Sequence, residues 1–420
     1  MKKYLRRLIA ASLMVGSLMF MPITHASVET YVGTGEYTMS EYETPHVAQQ
    51  RAKFYAERNA QEQAGLFIRS QSKVENSKLT EDEIITMSAG IVKLLDVNIQ
   101  PIVLDAHTFK FIATVKVDID TDEINSWLEQ EAQQRLDLIE ENKALRQKIA
   151  EQEALLAQSK KDTVNAKTEE QKRELKQRFE QADNEFAAIQ KLREGNQAIE
   201  HSEALKLYSE AIELDPNYAM AYNNRGYTYT ELKQYNQALA DLNRALELDP
   251  ALKLAYNNRG RVYRRLNDFE RALADYNKAI ELDPKYSTAY NNRGYMYDDL
   301  KQYERAIADY TRAIEYAPNF AMAYNNRGFT YINMKEFARA IEDLNKAIEL
   351  DPKFDWAYNN RGTAYLLTND IARALADFNK AIECNPNYAL AYKNRGYCHQ
   401  ALGEMTKAQS DFDKAKSLGG

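Results

Sequence analysis

Residues 219–252 read AMAYNNRGYTYTELKQYNQALADLNRALELDPAL, and the same pattern returns every 34 residues to the end of the chain. Asn-Asn-Arg-Gly stands at 223–226, 257–260, 291–294, 325–328 and 359–362, and Lys-Asn-Arg-Gly at 393–396. A tyrosine precedes each motif (Tyr222, Tyr256, Tyr290, Tyr324, Tyr358, Tyr392). An alanine-rich run follows, as with Ala238 and Ala245, and a proline lies near each boundary (Pro216, Pro250, Pro284, Pro318, Pro352, Pro386). The spacing predicts two helices per copy. Gly226, Gly260, Gly294, Gly328, Gly362 and Gly396 fall inside the first helix, where Gly costs about 1 kcal/mol against Ala, so close helix approach must repay it. Proline stops the second helix. One pair of short helices cannot bury its apolar face alone, so the copies must stack into an α-solenoid with an extended curved surface.

The motif arginine is matched by an aspartate sixteen residues later in all six copies: Arg225 with Asp241, Arg259 with Asp275, Arg293 with Asp309, Arg327 with Asp343, Arg361 with Asp377, Arg395 with Asp411. This reads as a structural ion pair between the two helices of a copy, worth roughly 0.2–1 kcal/mol if partly exposed. In the last copy Gln409 and Lys416 replace the Leu or Ile of earlier copies, as a solvent-facing terminal helix requires. A degenerate seventh unit occupies 185–218. Ser202 to Pro216 is a good second helix, but Lys191 and Leu207 stand where the Arg and Asp would be.

Period, Gly, Tyr, Ala and Pro together resemble the tetratricopeptide repeat, over about half the chain. The resemblance implies binding of other proteins or extended peptides in a concave groove lined by the first helices. Asn224, Asn258, Asn292, Asn326, Asn360 and Asn394 would stand there as a ladder, similar to the peptide-binding asparagine ladders of other such solenoids. An amide both donates and accepts, so a ladder can grip a peptide backbone; it can equally bond only its own neighbours. Tyr227, Tyr295, Phe329 and Tyr397 would add apolar contacts, and Arg261, Arg264 and Arg265 a local basic patch. Because only Lys393 departs from Asn at the preceding position, a multi-lysine clamp for free C-termini is not supported.

The chain before the array has three parts. Residues 1–26 read as a signal peptide: a basic start, an apolar run from Leu8 to Ile23, and Thr24-His25-Ala26 before cleavage between Ala26 and Ser27. The alternative is an uncleaved anchor; no cysteine near the cleavage site offers a lipid attachment point. The mature protein is thus expected in the periplasm or secreted. Residues 28–119 change pattern as a small α+β domain does: a strand from Val28 to Met39, a helix opening at Thr44-Pro45 with Ala48, Ala52, Ala56, Ala60 and Ala64 on one stripe, a short helix at Thr80, and two alternating strands, Ile91–Val103 and Thr108–Ile119. Thr34-Gly35-Glu36, the alanine stripe and Ser88-Ala89-Gly90 resemble the N-terminal domain of the LPP20 lipoprotein family and of flagellar assembly proteins. From 120 to 184 the chain is a Gln- and Glu-rich helical segment. Leu128, Leu138, Leu145, Ile149 and Leu156 fit a heptad seam with Asn142 at a core position, which predicts a short coiled coil and self-association; a solitary spacer helix is the alternative. The seam fails between 158 and 171 and restarts with Leu175, Phe179, Ala182, Phe186 and Ile189.

The fold class is therefore mainly α, with the six repeats of 219–420 preceded by a long helix or coiled coil and a small α+β domain. The formal charge of −7 falls to about −11 once 1–26 are removed, which argues against nucleic acid as a partner. Five histidines without metal-ligand spacing, and no nucleophile motif or phosphate loop, leave no catalytic residue, metal or cofactor to assign; Gly33-Thr34-Gly35 is too short to bind phosphate. Cys384 and Cys398 read as small buried apolar residues, with one late disulfide as the alternative. The order of signal, coiled coil and repeats resembles periplasmic proteins that coordinate Gram-negative cell-wall synthesis with outer-membrane constriction, from which the N-terminal domain departs.

Overall fold

A computed structural model describes residues 28–40, 42–74, 92–104, 109–120, 132–165 and 168–419. The signal segment, the helix expected at Thr80 and the seam position Leu128 lie outside the described residues. Side chains are undescribed at Leu138 and Asn142.

Strands β1 (Val28–Thr38), β2 (Val92–Val103) and β3 (Phe109–Asp120) form an antiparallel sheet in the order β1-β3-β2, with a bulge between Leu94 and Asp96. Helix α1 (Pro45–Val74) lies across one face. Its five stripe alanines are fully buried, and β1 presents Gly33 and Gly35 to them. A Cβ at Gly33 would stand 2.0 Å from the Ala56 carbonyl oxygen, and one at Gly35 2.3 Å from the Ala56 amide nitrogen. The alanine period and the glycine pair are two halves of one close contact. Phe111, Ala113, Val115 and Val117 of β3 complete the core.

Two long helices follow, α2 (Ala132–Asn165) and α3 (Glu169–Gln197), packed as a hairpin. The break in the seam is the turn between them, and Thr168 opens α3 with a capping box to Gln171. Helix α3 runs unbroken across the expected boundary at 184/185 and serves as the first helix of the degenerate unit, against α4 (His201–Leu214). The described seam residues are covered within the chain: Leu156 joins Phe179 in the N-terminal core, and Leu145 and Ile149 join the core of the array. The side chain of Arg51, buried beside Glu43, reaches Asp183 Oδ1 of α3 at 2.8 Å, and Phe54 meets Phe186 edge-on.

The six copies supply helix pairs α5 (Ala219–Glu231) with α6 (Tyr235–Leu248), α7 (Lys253–Arg265) with α8 (Phe269–Leu282), α9 (Ser287–Asp299) with α10 (Tyr303–Tyr316), α11 (Ala321–Asn333) with α12 (Phe337–Leu350), α13 (Asp355–Leu367) with α14 (Ile371–Cys384), and α15 (Ala389–Ala401) with α16 (Met405–Ser417). Each first helix meets the first helix of the next pair, while successive second helices stand further apart, so the first helices line the inner side of the curve. Within each pair the helix glycine meets the residue sixteen positions on: Gly260 packs on the buried ring of Tyr276, and Gly226 on Leu242. Gln409 and Lys416 on α16 are exposed.

Candidate functional site: the inner face of the helical array

The six Arg–Asp pairs all meet in the same geometry. Arg293 Nε donates to Asp309 Oδ2 and Nη2 to Oδ1, both at 2.7 Å, and the other five copies repeat this bidentate fork at 2.6–2.9 Å. The aspartates are buried and the arginines half-buried. The third nitrogen, Nη1, reaches sixteen residues backwards to the second helix of the preceding copy: Ser209, Asn243, Asn277, Thr311, Asn345 and Asn379 accept from Arg225 through Arg395 in turn. Each guanidinium also lies 5.4–5.8 Å from the ring of the motif tyrosine three residues before it. One arginine therefore ties three helices, not two. The signal for the backward partner was present as a small polar residue at the same place in every copy.

The asparagines form a second continuous set. The second Asn of each motif donates to the first Asn of the preceding copy: Asn258 to Asn223, Asn292 to Asn257, Asn326 to Asn291, Asn360 to Asn325 and Asn394 to Asn359, all at 2.9–3.0 Å. At the degenerate unit Asn224 donates to Asn196 instead, which also accepts from Tyr208. Asn224, Asn258 and Asn326 are buried, and Asn292, Asn360 and Asn394 half-buried. Each amide thus spends one N–H on stitching copies together.

Beside this seam the large side chains are open. Tyr295, Phe329 and Tyr397 are exposed and Tyr227 is half-buried; Trp356 and Leu390, which the motif reading missed, are exposed on α13 and α15. The expected basic patch is corrected by its neighbours. Arg261 donates to Glu231 at 2.8 Å and lies over Tyr227, and Arg264 donates to Asp299 at 2.7 Å and lies over Tyr295, so acids of adjacent copies cancel both charges. Asp298, next to Asp299, accepts from Thr330 Oγ1 at 2.6 Å and from the Tyr310 hydroxyl at 3.2 Å, while burial pushes its carboxyl up to about 6. Cys384 and Cys398 are free thiols; burial raises Cys398 to about 11. Among the described residues no cluster of His, Cys, Asp and Glu could hold a metal, and no helix is long and apolar enough to cross a membrane.

Sequence-family models match across the array. A tetratricopeptide repeat model matches residues 219–252, 254–286, 287–320, 321–354 and 356–388, a TPR repeat model 200–232, and a further tetratricopeptide repeat model 378–410. The chain is a member of the tetratricopeptide repeat family, whose repeats build protein-interaction scaffolds. Similar solved structures include the Cut9–Hcn1 hetero-tetramer of the APC/C, 18% identical over 50% of this chain and 42% of that one, TM-score 0.47. A tetratricopeptide repeat protein from Parabacteroides merdae is 23% identical over 56% of this chain and 94% of that one, TM-score 0.46. PilF of Pseudomonas aeruginosa is 21% identical over 48% of this chain and 91% of that one, TM-score 0.43. No curated protein matches the chain.

Proposed function

We propose that the protein is an exported cell-envelope scaffold, without catalytic activity, that binds other proteins or peptides through the inner face of its repeats. The observation that carries this reading is the row of exposed large side chains on the first helices, Tyr295, Phe329, Trp356 and Tyr397. Apolar surface left open beside a hydrogen-bonded polar seam is surface for a partner. In this reading the asparagine ladder supports binding with the donor and acceptor capacity left after each amide's bond to the preceding copy. Export rests on the basic start, apolar run and small-x-small end of residues 1–26.

The test is an affinity capture from envelope extract with the mature chain beside a variant carrying Ser at Tyr295, Phe329 and Tyr397. These side chains are exposed, so the variant keeps its fold by circular dichroism. Loss of a specific protein supports the inner face as the site; recovery of the same proteins by both chains removes it. Capture with Ala at Asn258, Asn292 and Asn326 then separates ladder from aromatics, provided thermal unfolding shows the copies still joined.

A second reading, an assembly factor of the outer membrane or a surface organelle acting through the N-terminal domain, is favoured by Leu94, Leu95, Ile102 and Val103, which are exposed on the edge strand β2. Glu at Leu95 and Val103 that abolishes localisation while capture persists would favour it. Self-association through α2 would require Leu145 and Leu156 to leave their own chain's cores, and sedimentation at monomer mass across concentration would end that idea.

A further inference from the structure

Each first helix ends at a turn, and in the first four copies the residue that caps it is apolar: Leu232, Leu266, Leu300 and Met334. The three leucines are 37–44% exposed and Met334 is half-buried. A cation stands beside each of them. Lys233, Lys301 and Lys335 follow directly, and in the second copy, where Asn267 takes the turn, Arg265 precedes instead. All four cations are exposed, and none has an ion-pair partner among the described residues. The three lysines hold φ of 58°, 56° and 63°, a left-handed conformation that penalises a Cβ, whereas Asn267 and Asn369 tolerate it and Gly403 adopts it freely. Backbone strain at an exposed, unpaired charge points to a role outside the fold.

The acids of the same edge are neutralised from within. Glu231 pairs with Arg261, Asp268 with Arg271, Asp299 with Arg264 and Glu336 with Arg339, at 2.7–3.3 Å. Glu270 and Glu304 remain, opposed by the four turn cations and by Arg305, which donates to Gln302, so this edge is positive on a chain whose formal charge is −7. It also lies clear of α2. That helix meets the other ends of the first helices, where Lys148 Nζ stands 3.6 Å from Asp215 Oδ2, and a first helix of 13 residues sets the two rims about 20 Å apart. In the last two copies the pattern stops. Thr368 and Leu402 are followed by Asn369 and Gly403, and the nearby Arg373 and Lys407 are paired with Asp370 and Glu404.

We propose that the turn edge of the first four copies docks on an anionic lipid surface, with Leu232, Leu266 and Leu300 entering the headgroup layer and Lys233, Arg265, Lys301 and Lys335 meeting lipid phosphates. Exposed leucines with free cations beside them supply the two attractions that interfacial binding combines, apolar insertion and charge. The edge is distinct from the inner face, so the array can hold a protein partner while it rests on a membrane.

The test is flotation of the full mature chain with vesicles of equal parts phosphatidylglycerol and phosphatidylcholine, beside vesicles of phosphatidylcholine alone. The expected result is binding to the anionic vesicles only, weakened by salt, and weakened about a hundredfold when Lys233→Asn, Lys301→Asn and Lys335→Asn are combined. Asparagine accepts the turn, so the thermal midpoint of this variant should equal or exceed that of the parent. Leu232→Ser, Leu266→Ser and Leu300→Ser together should weaken binding with the charge untouched, whereas Leu402→Ser, in a copy without the cation, should leave it unchanged. Equal binding to neutral vesicles, full binding by either triple variant, or an equal loss with Leu402→Ser would each overturn the proposal. A parent chain that ignores anionic vesicles overturns it outright, and if the lysine variant then loses a captured envelope protein, the edge faces a protein instead. The inner-face reading is decided separately, by the variant at Tyr295, Phe329 and Tyr397.

Discussion

The N-terminal unit and the array use the same device, a small residue where two elements meet, against different opponents. Gly33 and Gly35 face the backbone of α1, whereas the array glycines face side chains, Tyr276 for Gly260 and Leu344 for Gly328, at 2.8 Å. Backbone cannot swing aside; a ring or a branched side chain can. Gly33→Ala should therefore cost about 4 kcal/mol or more and unfold the sheet and α1, whereas Gly260→Ala should cost only about 1–2 kcal/mol, because better helix propensity returns about 1. Hydrogen exchange resolved by segment in the full chain reads both. Equal losses in the two regions would break the comparison.

Charge is divided in the same way. Arg51 is a single buried cation between Glu43 and Asp183, and its removal leaves two poorly solvated carboxylates, so Arg51→Ala should cost about 3 kcal/mol and loosen the N-terminal unit from α3. Arg293 is half-exposed and repeated in five other copies, so Arg293→Ala should cost about 2 kcal/mol, confined to α9 and its neighbours. Arg293→Lys sharpens the point. A lysine cannot fork to Asp309 and also reach Asn277, so it should recover less than half of the loss in urea titrations.

Periodicity explains why the array was legible and the rest was not. Six copies average away local accidents: Arg and Asp sixteen residues apart recur until only a helix-to-helix pair accounts for them, and the structure places all six within bonding distance. The backward bond of each arginine escaped because its acceptor alternates between Ser, Asn and Thr, which have no common shape, only a common oxygen. Helix α2 occurs once. Leu145, Ile149 and Leu156 form the same seam whether they face a second copy or their own chain, and no local pattern separates the two. The open Trp356 and Leu390 escaped because they are not part of the repeated motif: the second residue of the first helix is Met220, Leu254, Thr288, Met322, Trp356 and Leu390 in turn.

A position where the copies disagree makes a finer probe. Copy to copy, residue twelve of the first helix is Thr230, Arg264, Asp298, Ile332, Leu366 and Gln400. Burial outweighs the hydrogen bonds from Thr330 and Tyr310 in raising Asp298 from 3.8 to about 6, with Asp299 adding to the rise. Between those values the folded chain holds a proton that the unfolded chain has lost. Stability should therefore fall as pH rises from about 4 to 6 and stay level above that. Asp298→Asn keeps an acceptor for Thr330 and removes the charge. Its midpoint in urea should exceed that of the parent at pH 7 by the equivalent of about 1 kcal/mol, after discounting for partial exposure, and match it near pH 4. A parallel pair of curves would mean that the carboxylate is solvated better than its burial implies.

The smallest effect tests the turns between helices. Lys233, Asn267, Lys301, Lys335 and Asn369 all adopt positive φ, between 56° and 64°, and Gly403 takes the same place in the last copy at 74°. The left-handed region penalises a Cβ-bearing residue by roughly 1–2 kcal/mol, less for Asn, whose side chain bonds locally. Glycine removes that penalty but returns some of it as entropy lost on folding. Lys301→Gly should thus stabilise the α9–α10 pair by under about 1 kcal/mol, and Asn267→Gly by less still, because asparagine already tolerates the conformation. Thermal midpoints ranked in the opposite order would mean that Lys301 is held there by contacts outside its backbone.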